Sequence, residues 1–150
     1  MRFWRIVRRR FASEAATGEG ARLFGGRWNS RGVRVVYAST SLALAAIETF
    51  VHIEPNLLPE DLVSIEGEIP EATKTGKLDP KTLQTPRANS EAMQRLGDDW
   101  IRKSETVALS VPSAAVRGEW NVLLNPAHPD FRKIKFRKPE AFEFDARMFR

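Results

Sequence analysis

Residues 42–53, LALAAIETFVHI, narrow the possible folds of this chain more than any other stretch. On a helical wheel Leu42, Leu44, Ala46, Ile47, Phe50, Val51 and Ile53 cover most of the circumference. Only a narrow sector holding Glu48, Thr49 and His52 is polar. A helix that is apolar nearly all round is buried, so the rest of the chain must wrap it. Its polar sector must then face a thin strip of water or a cavity. Ser39, Thr40 or Ser41 offers the N-cap. Partial desolvation makes Glu48 a candidate functional carboxylate; the blander use is a surface salt bridge with an arginine from the N-terminus.

The wrapping elements read mainly as strands. Phe3–Val7 opens the chain as a strand, and Val33, Val35 and Tyr37 alternate on one face of a second. Further strands are expected over Ser64–Ile69, Thr106–Val111, Trp120–Leu124, Lys133–Phe136 and Phe142–Met148. A second helix, capped by Asn89 or Ser90, runs through Lys103 with Met93, Leu96 and Trp100 along its apolar side. Residues 18–32 form a Gly- and Asn-rich connection with room for one helical turn. Many strands, two main helices and no regular βαβ alternation exclude a doubly wound parallel sheet. The expected fold class is α+β: a single domain over 1–150, with one mixed, mainly antiparallel sheet and flanking helices.

At 150 residues such a domain buries roughly 68–70% of its unfolded surface, enough for a real core. The absence of cysteine excludes disulfides and thiolate metal sites, and with only His52 and His128 present no metal is expected. No stretch approaches the ~20 apolar residues of a membrane span. MRFWRIVRRRF is too often broken by arginine to form a signal peptide, so a cytoplasmic location is expected. Net charge is +5, which by itself invites nucleic acid. The charge is unevenly placed: +7 over residues 1–34, −6 over 35–130 and +4 over 131–150.

Gly18-Glu19-Gly20 opens a GxGxxG, but Leu23 occupies the third glycine position, so a Rossmann fingerprint fails. In Phe24-Gly25-Gly26-Arg27-Trp28-Asn29, paired glycines let backbone N–H groups approach an anion, and Arg27 can clamp a phosphate. Trp28 either stacks on a ring or anchors the loop. Tyr37 is a packing residue or a flat face for an aromatic ligand. Ser113 follows a strand ended by Pro112, where it makes a turn or serves a site. There is no GxSxG elbow, which excludes a serine hydrolase of that kind. Asn121 and Asn125, in GEWNVLLNPAHPDF, suit either ligand hydrogen bonds or turn capping.

Four segments in this order resemble the RES-domain family, toxins of bacterial toxin–antitoxin pairs. They are LFGGRWNSRG, the strand ending in Tyr37 that leads into Glu48, VPSA at 111–114, and GEWNVLLNPAHPDF at 118–131. The Arg, Glu and Ser of the family's name match Arg27, Glu48 and Ser113, with Ser113 preferred to Ser110 because it lies in VPSA; Tyr37 matches the family tyrosine. Arg31 stands where many members have proline.

The resemblance implies an ADP-ribosyltransferase-like fold with NAD+ bound in a cleft beside the Glu-bearing helix. It also implies NAD+ consumption by hydrolysis, phosphorolysis or protein ADP-ribosylation, and an Xre-family antitoxin that occludes the site and through which the toxin oligomerises. On that reading Glu48 stabilises oxocarbenium character at the ribose. Arg27 grips the pyrophosphate, Tyr37 packs on nicotinamide, Ser113 orients Glu48 or a ribose hydroxyl, and Trp28 and Asn121 join the NAD+ contacts. The competing reading is a basic nucleic-acid-binding protein or a ribonuclease toxin using the Arg-rich N-terminus.

Overall fold

The computed structural model describes every residue except 55, 84–89 and 150. Eight strands form one sheet in the order β4-β5-β6-β2-β1-β3-β7, with β8 also pairing β3. They are β1 (Arg2–Arg8), β2 (Val36–Ser39), β3 (Leu62–Glu68), β4 (Gly76–Lys77), β5 (Ala108–Pro112), β6 (Trp120–Leu124), β7 (Lys135–Phe136) and β8 (Glu140–Ala141). Every pairing is antiparallel except β4 on β5. Helices α1 (Glu19–Phe24), α2 (Leu42–Phe50) and α3 (Ser90–Lys103) flank the sheet. The α+β class and its mainly antiparallel sheet are as the sequence implies.

Alternation along the strands divides the core. Phe3, Val36, Ala38, Ala108, Val122 and Leu124 pack with Ile69, Val107 and Ile134 on one face. On the other, Leu109, Val111 and Leu123 pack with Val35 and Trp28, half-covered by Met93, Leu96 and Trp100 of α3. Both α2 and α3 therefore have their own part of the sheet, with α2 over β1 and β2. The α2 segment is not wrapped all round as its apolar wheel implies: only Leu44 and Ala45 are buried, and Leu42 and Val51 stay exposed, because the helix rests on the sheet along one side. A fully buried side chain of this size contributes about 1.5–3 kcal/mol.

Several boundaries differ from the sequence expectation for local physical reasons. The second strand begins at Val36 rather than Val33 and continues through Ser39, so Ser39 and Thr40 are not caps. Thr40 donates to the Trp120 carbonyl at 3.0 Å, and Ser41 alone caps α2, accepting from Leu44 N–H at 3.0 Å. The α2 helix ends at Phe50, because His52 and Ile53 bond back three residues, to Thr49 and Phe50, in tightened turns. Lys133 belongs to a 3-10 turn (Pro129–Lys133), and His128 Nδ1 accepts the Asp130 N–H at its start, 3.0 Å.

The expected strand over Phe142–Met148 is absent. Only Glu140–Ala141 pairs with β3. The Asp145 carboxylate accepts the Arg147 N–H at 2.9 Å and starts a 3-10 turn over Ala146–Phe149. Phe144 and Phe149 then stack edge-on against Phe50 of α2, so aromatic contacts and turn capping outweigh strand propensity. The cap suggested at Asn89 lies outside the described residues; the helix itself starts at Ser90.

The basic N-terminus is largely engaged internally. Arg2 pairs with Glu66, Arg8 with Asp61, and both Arg22 and Arg34 with Glu19. Arg5 donates to the Tyr37 carbonyl and buries its Nε without a partner. Beyond the single Trp4–Ser39 pair, no residue of β1 pairs with β2, so Arg5 supplies a donor that the strand ladder does not.

Candidate active site

Glu48 sits on α2 with its polar sector turned toward the ends of β5 and β6. Its Oε1 accepts from Ser113 Oγ at 2.5 Å and from Asn121 Nδ2 at 2.7 Å. Among the described residues it forms no salt bridge, and Oε2 has no hydrogen-bond partner. Ser113 Oγ accepts the N–H groups of Ala115 and Val116 at 3.1 and 3.0 Å. This turn commits both lone pairs of the hydroxyl, leaving its proton to point at Glu48. Ser110 pairs with Val122 inside the sheet and, among the described residues, is not one of the hydrogen-bond partners of Glu48.

The Arg27 loop is built from the inside. Gly25 adopts φ +69°, a left-handed conformation that favours glycine. A Cβ on Gly26 would lie 2.7 Å from Tyr37 Oη and 3.0 Å from Asn29 Oδ1. The paired glycines therefore serve close packing, and the Gly26 N–H is spent on the Asn29 carbonyl at 3.0 Å rather than offered to an anion. Trp28 N–H donates to Tyr37 Oη at 3.0 Å, and that hydroxyl donates to Asn29 Oδ1 at 2.7 Å. Asn29, fully buried, spends its amide on the carbonyls of Ala21, Ser30 and Val33. With these groups satisfied, the cation the loop exposes is the Arg27 guanidinium, which among the described residues bonds only to Met93 Sδ at 3.6 Å.

Helix α3 clamps this loop. Asp98 accepts from Ser30 N–H at 2.9 Å and from Ser30 Oγ at 2.6 Å. Gln94 Nε2 donates to the carbonyls of Gly26 and Asn29 at 3.1 and 3.2 Å. Gly97 admits the contact, since a Cβ there would stand 1.7 Å from the Trp28 carbonyl oxygen. Burial pushes the Tyr37 phenol up to about 12; the Asp98 charge adds to the rise, while the Trp28 hydrogen bond and Arg27 oppose it. The phenol is thus a neutral latch between β2 and the Arg27 loop.

The sheet links the two halves. Tyr37 and Ser39 project from the same face of β2, and Ser39 pairs directly with Asn121 of β6. Ser39 Oγ donates to Asn121 Oδ1 at 2.8 Å. Ser39, Asn121, Glu48 and Ser113 thus form one hydrogen-bonded group, and Tyr37 with Asn29 and the Trp28 N–H a second. Strand β2, which carries both Tyr37 and Ser39, is what joins them, and among the described residues the Arg27 side chain bonds to neither. Trp28 stands apart: it is 4% exposed and packs with Val35, Leu109, Val111 and Leu123. Asn125 is fully buried and accepts the Ala127 N–H at 3.0 Å, a turn-capping role.

Sequence reasoning missed Asn29, Ser39, Gln94, Gly97 and Asp98. Asn29 carried one available signal, an amide directly after the Gly-Gly-Arg-Trp turn. The others act through partners 65 to 82 residues away, beyond any local pattern. Among the described residues, no three His, Asp or Glu side chains cluster as a metal site would require.

A lone carboxylate held by two side-chain donors, on a helix packed against a mainly antiparallel sheet, marks an α+β protein with a single-carboxylate candidate site. The RES domain matches residues 2–145, and the chain belongs to that family. It is similar to the "Prs ADP-ribosylating toxin" of a Sphingobium species, 39% identical over 99% of this chain and 96% of the relative. It is also similar to "Toxin Res" of Photorhabdus laumondii, 36% identical over 99% of this chain and 97% of that protein. The fold is shared with a chain in the crystal structure of the M. tuberculosis MbcT-MbcA toxin-antitoxin complex: TM-score 0.64, 17% identity, 95% of this chain and 84% of that one covered. The protein is accordingly a toxin of the RES family.

Proposed function

We propose that this toxin consumes NAD+ by cleaving its nicotinamide–ribose bond at Glu48. The observation carrying the proposal is the arrangement of that carboxylate: two donors hold Oε1, while Oε2 has no partner among the described residues. Heterolysis of the C1′–N bond sends the bonding pair to nicotinamide, which leaves neutral and needs no general acid. Positive charge develops on C1′ and the ring oxygen, where a fixed carboxylate is stabilising. A nucleophile then bonds to C1′ and gives up its proton. Water yields ADP-ribose, phosphate yields ADP-ribose phosphate, and a protein side chain yields ADP-ribosylated protein.

The remaining residues suit the rest of such a dinucleotide. Arg27 offers a bidentate fork to pyrophosphate. Tyr37, neutral and held by its hydroxyl, presents a ring beside that fork; its assigned neighbour is nicotinamide. Ser113 acts through Glu48. The relatives' toxin names and the toxin–antitoxin neighbour support an antitoxin partner for this chain. An Xre-family antitoxin that occludes the cleft and carries the DNA-binding role in the cytoplasm completes the reading. Among the described residues no helix is long and apolar enough to cross a membrane.

The test is Glu48→Gln, which keeps shape and removes charge. The purified variant should bind NAD+ yet release nicotinamide at least about 100-fold more slowly, as expected for loss of a transition-state electrostatic contact. Wild-type turnover by that variant would overturn the assignment. Products formed with and without phosphate and cell extract decide among hydrolysis, phosphorolysis and transfer.

A further inference from the structure

We propose that Ser39 and Asn121 are positioning residues for Glu48, and that the two oxygens of this carboxylate have separate tasks: Oε1 is the anchored oxygen and Oε2 the working one. The inference rests on the NAD+-cleaving reading above and goes beyond it, assigning a role to a buried serine of β2 and a different role to Asn121.

Ser39, Asn121 and Glu48 form a directional chain of hydrogen bonds. Ser39 Oγ donates to Asn121 Oδ1 at 2.8 Å, and Asn121 Nδ2 donates to Glu48 Oε1 at 2.7 Å. Rotating the amide by half a turn would set its carbonyl against the carboxylate oxygen, two acceptors at contact distance. The amide therefore has one stable orientation, and the Ser39 hydroxyl reinforces it from behind. Ser39 is 4% exposed, so water does not compete for its proton. Ser113 presses the same oxygen from the other side, with its lone pairs committed to Ala115 and Val116.

Strand pairing fixes the backbone beneath this chain of hydrogen bonds. Ser39 is the residue at which β2 pairs with Trp4 of β1 on one side and with Asn121 of β6 on the other, and Asn121 in turn pairs with Val111 of β5. Four strands thus share one row under the carboxylate, whereas β1 pairs with no other residue of β2. Two donors converging on Oε1 stop the carboxylate from exchanging its oxygens by rotation. Oε2 then holds a constant position toward the ribose, which is the condition under which a charge stabilises a transition state without reorganising. Asn121 accordingly acts through Glu48, not as a substrate contact.

Steady-state NAD+ cleavage separates this from a ligand-binding or purely structural role. For Asn121→Ala, kcat should fall about 10- to 100-fold, the range for removing a hydrogen bond to a charged group, with KM within about twofold. Ser39→Ala should lower kcat about 3- to 10-fold, the range for a neutral hydrogen bond, and Ser39→Thr should restore most of it. The double variant should match Asn121→Ala alone, because Ser39 acts only through Asn121. Asn121→Asp, isosteric but an acceptor facing Glu48, should be worse than Asn121→Ala; it carries the test if the alanine variant does not fold. Melting temperatures are measured alongside.

A rise in KM with unchanged kcat would make Asn121 a substrate contact and overturn the proposal, as would independent, multiplying effects of the two sites. Glu48→Gln in the same assay distinguishes the two failures. If it is inactive while Asn121→Ala and Ser39→Ala are fully active, only the positioning role falls. If Glu48→Gln is itself fully active, the reading beneath it falls.

Discussion

Replacing Gly97 with alanine tests how the Arg27 loop is held. The added methyl would lie 1.7 Å from the Trp28 carbonyl oxygen and 2.7 Å from its carbonyl carbon, both backbone atoms that cannot swing aside. An ordinary C···O approach is about 3.3 Å, so α3 and the loop must separate by about 1.5 Å at this point. Four hydrogen bonds cross the same interface: two from Ser30 to Asp98 and two from Gln94 to the Gly26 and Asn29 carbonyls, at 2.6–3.2 Å. Lengthened by that amount, they cease to be hydrogen bonds.

Those to the Asp98 carboxylate are worth about 1.5–3 kcal/mol each and the neutral ones about 0.5–1.5. Partial relaxation and the roughly 1 kcal/mol helix advantage of alanine offset part of this, leaving a net loss of about 2–5 kcal/mol. For a domain of this size that corresponds to a fall in Tm of roughly 5–15 °C. Because Arg27 lies between the two anchored segments, KM for NAD+ should rise more than kcat falls. Thermal unfolding and initial-rate kinetics measure both. At an uncrowded helix position the same substitution would stabilise, so an unchanged or higher Tm with wild-type KM refutes the reasoning by its sign.

Two further outcomes follow from the latch beneath that loop. Tyr37 is the only tyrosine in the chain, so alkaline titration of tyrosinate absorbance reads this phenol alone; it should ionise near pH 12 when folded and near about 10 when unfolded. Between those values only the unfolded state has released the proton, so this group's stabilising contribution is complete below about pH 10 and is lost as pH rises through 12. A folded-state midpoint near 10 would contradict the buried latch. Asn29→Ala removes the acceptor of the Tyr37 hydroxyl and the amide donor to the Val33 carbonyl, while the Ala21 and Ser30 carbonyls keep the N–H groups of Gly25 and Val33. It should cost about 2–4 kcal/mol in chemical denaturation, and a loss under about 1 kcal/mol would show that the loop re-satisfies itself.

What the chain alone determined is what depends on near neighbours. The wheel of residues 42–53 marks Glu48 as the one carboxylate in a largely apolar helix, and the readings of 106–111 and 120–124 as strands mark β5 and β6. Ser113 is legible from its place after Pro112, and the order of the four family segments points to the RES family before any coordinates. Local patterns failed where a nearby polar group outbid strand propensity, as Asp145 does after β8. They failed also where a strand's end depended on its partners: Ser39 reads as a helix cap until Trp4 and Asn121 draw it into the sheet.

The partners of the candidate site's side chains were decided only by the fold. Whether Asn121 meets a ligand or Glu48, whether Trp28 stacks or anchors, and why residue 97 must be glycine all turn on atoms brought together from 65 or more positions apart. Such contacts leave no periodicity in the chain. A hydrogen bond is set by distance and direction, and these arise only when strands choose their register and α3 closes onto the Arg27 loop.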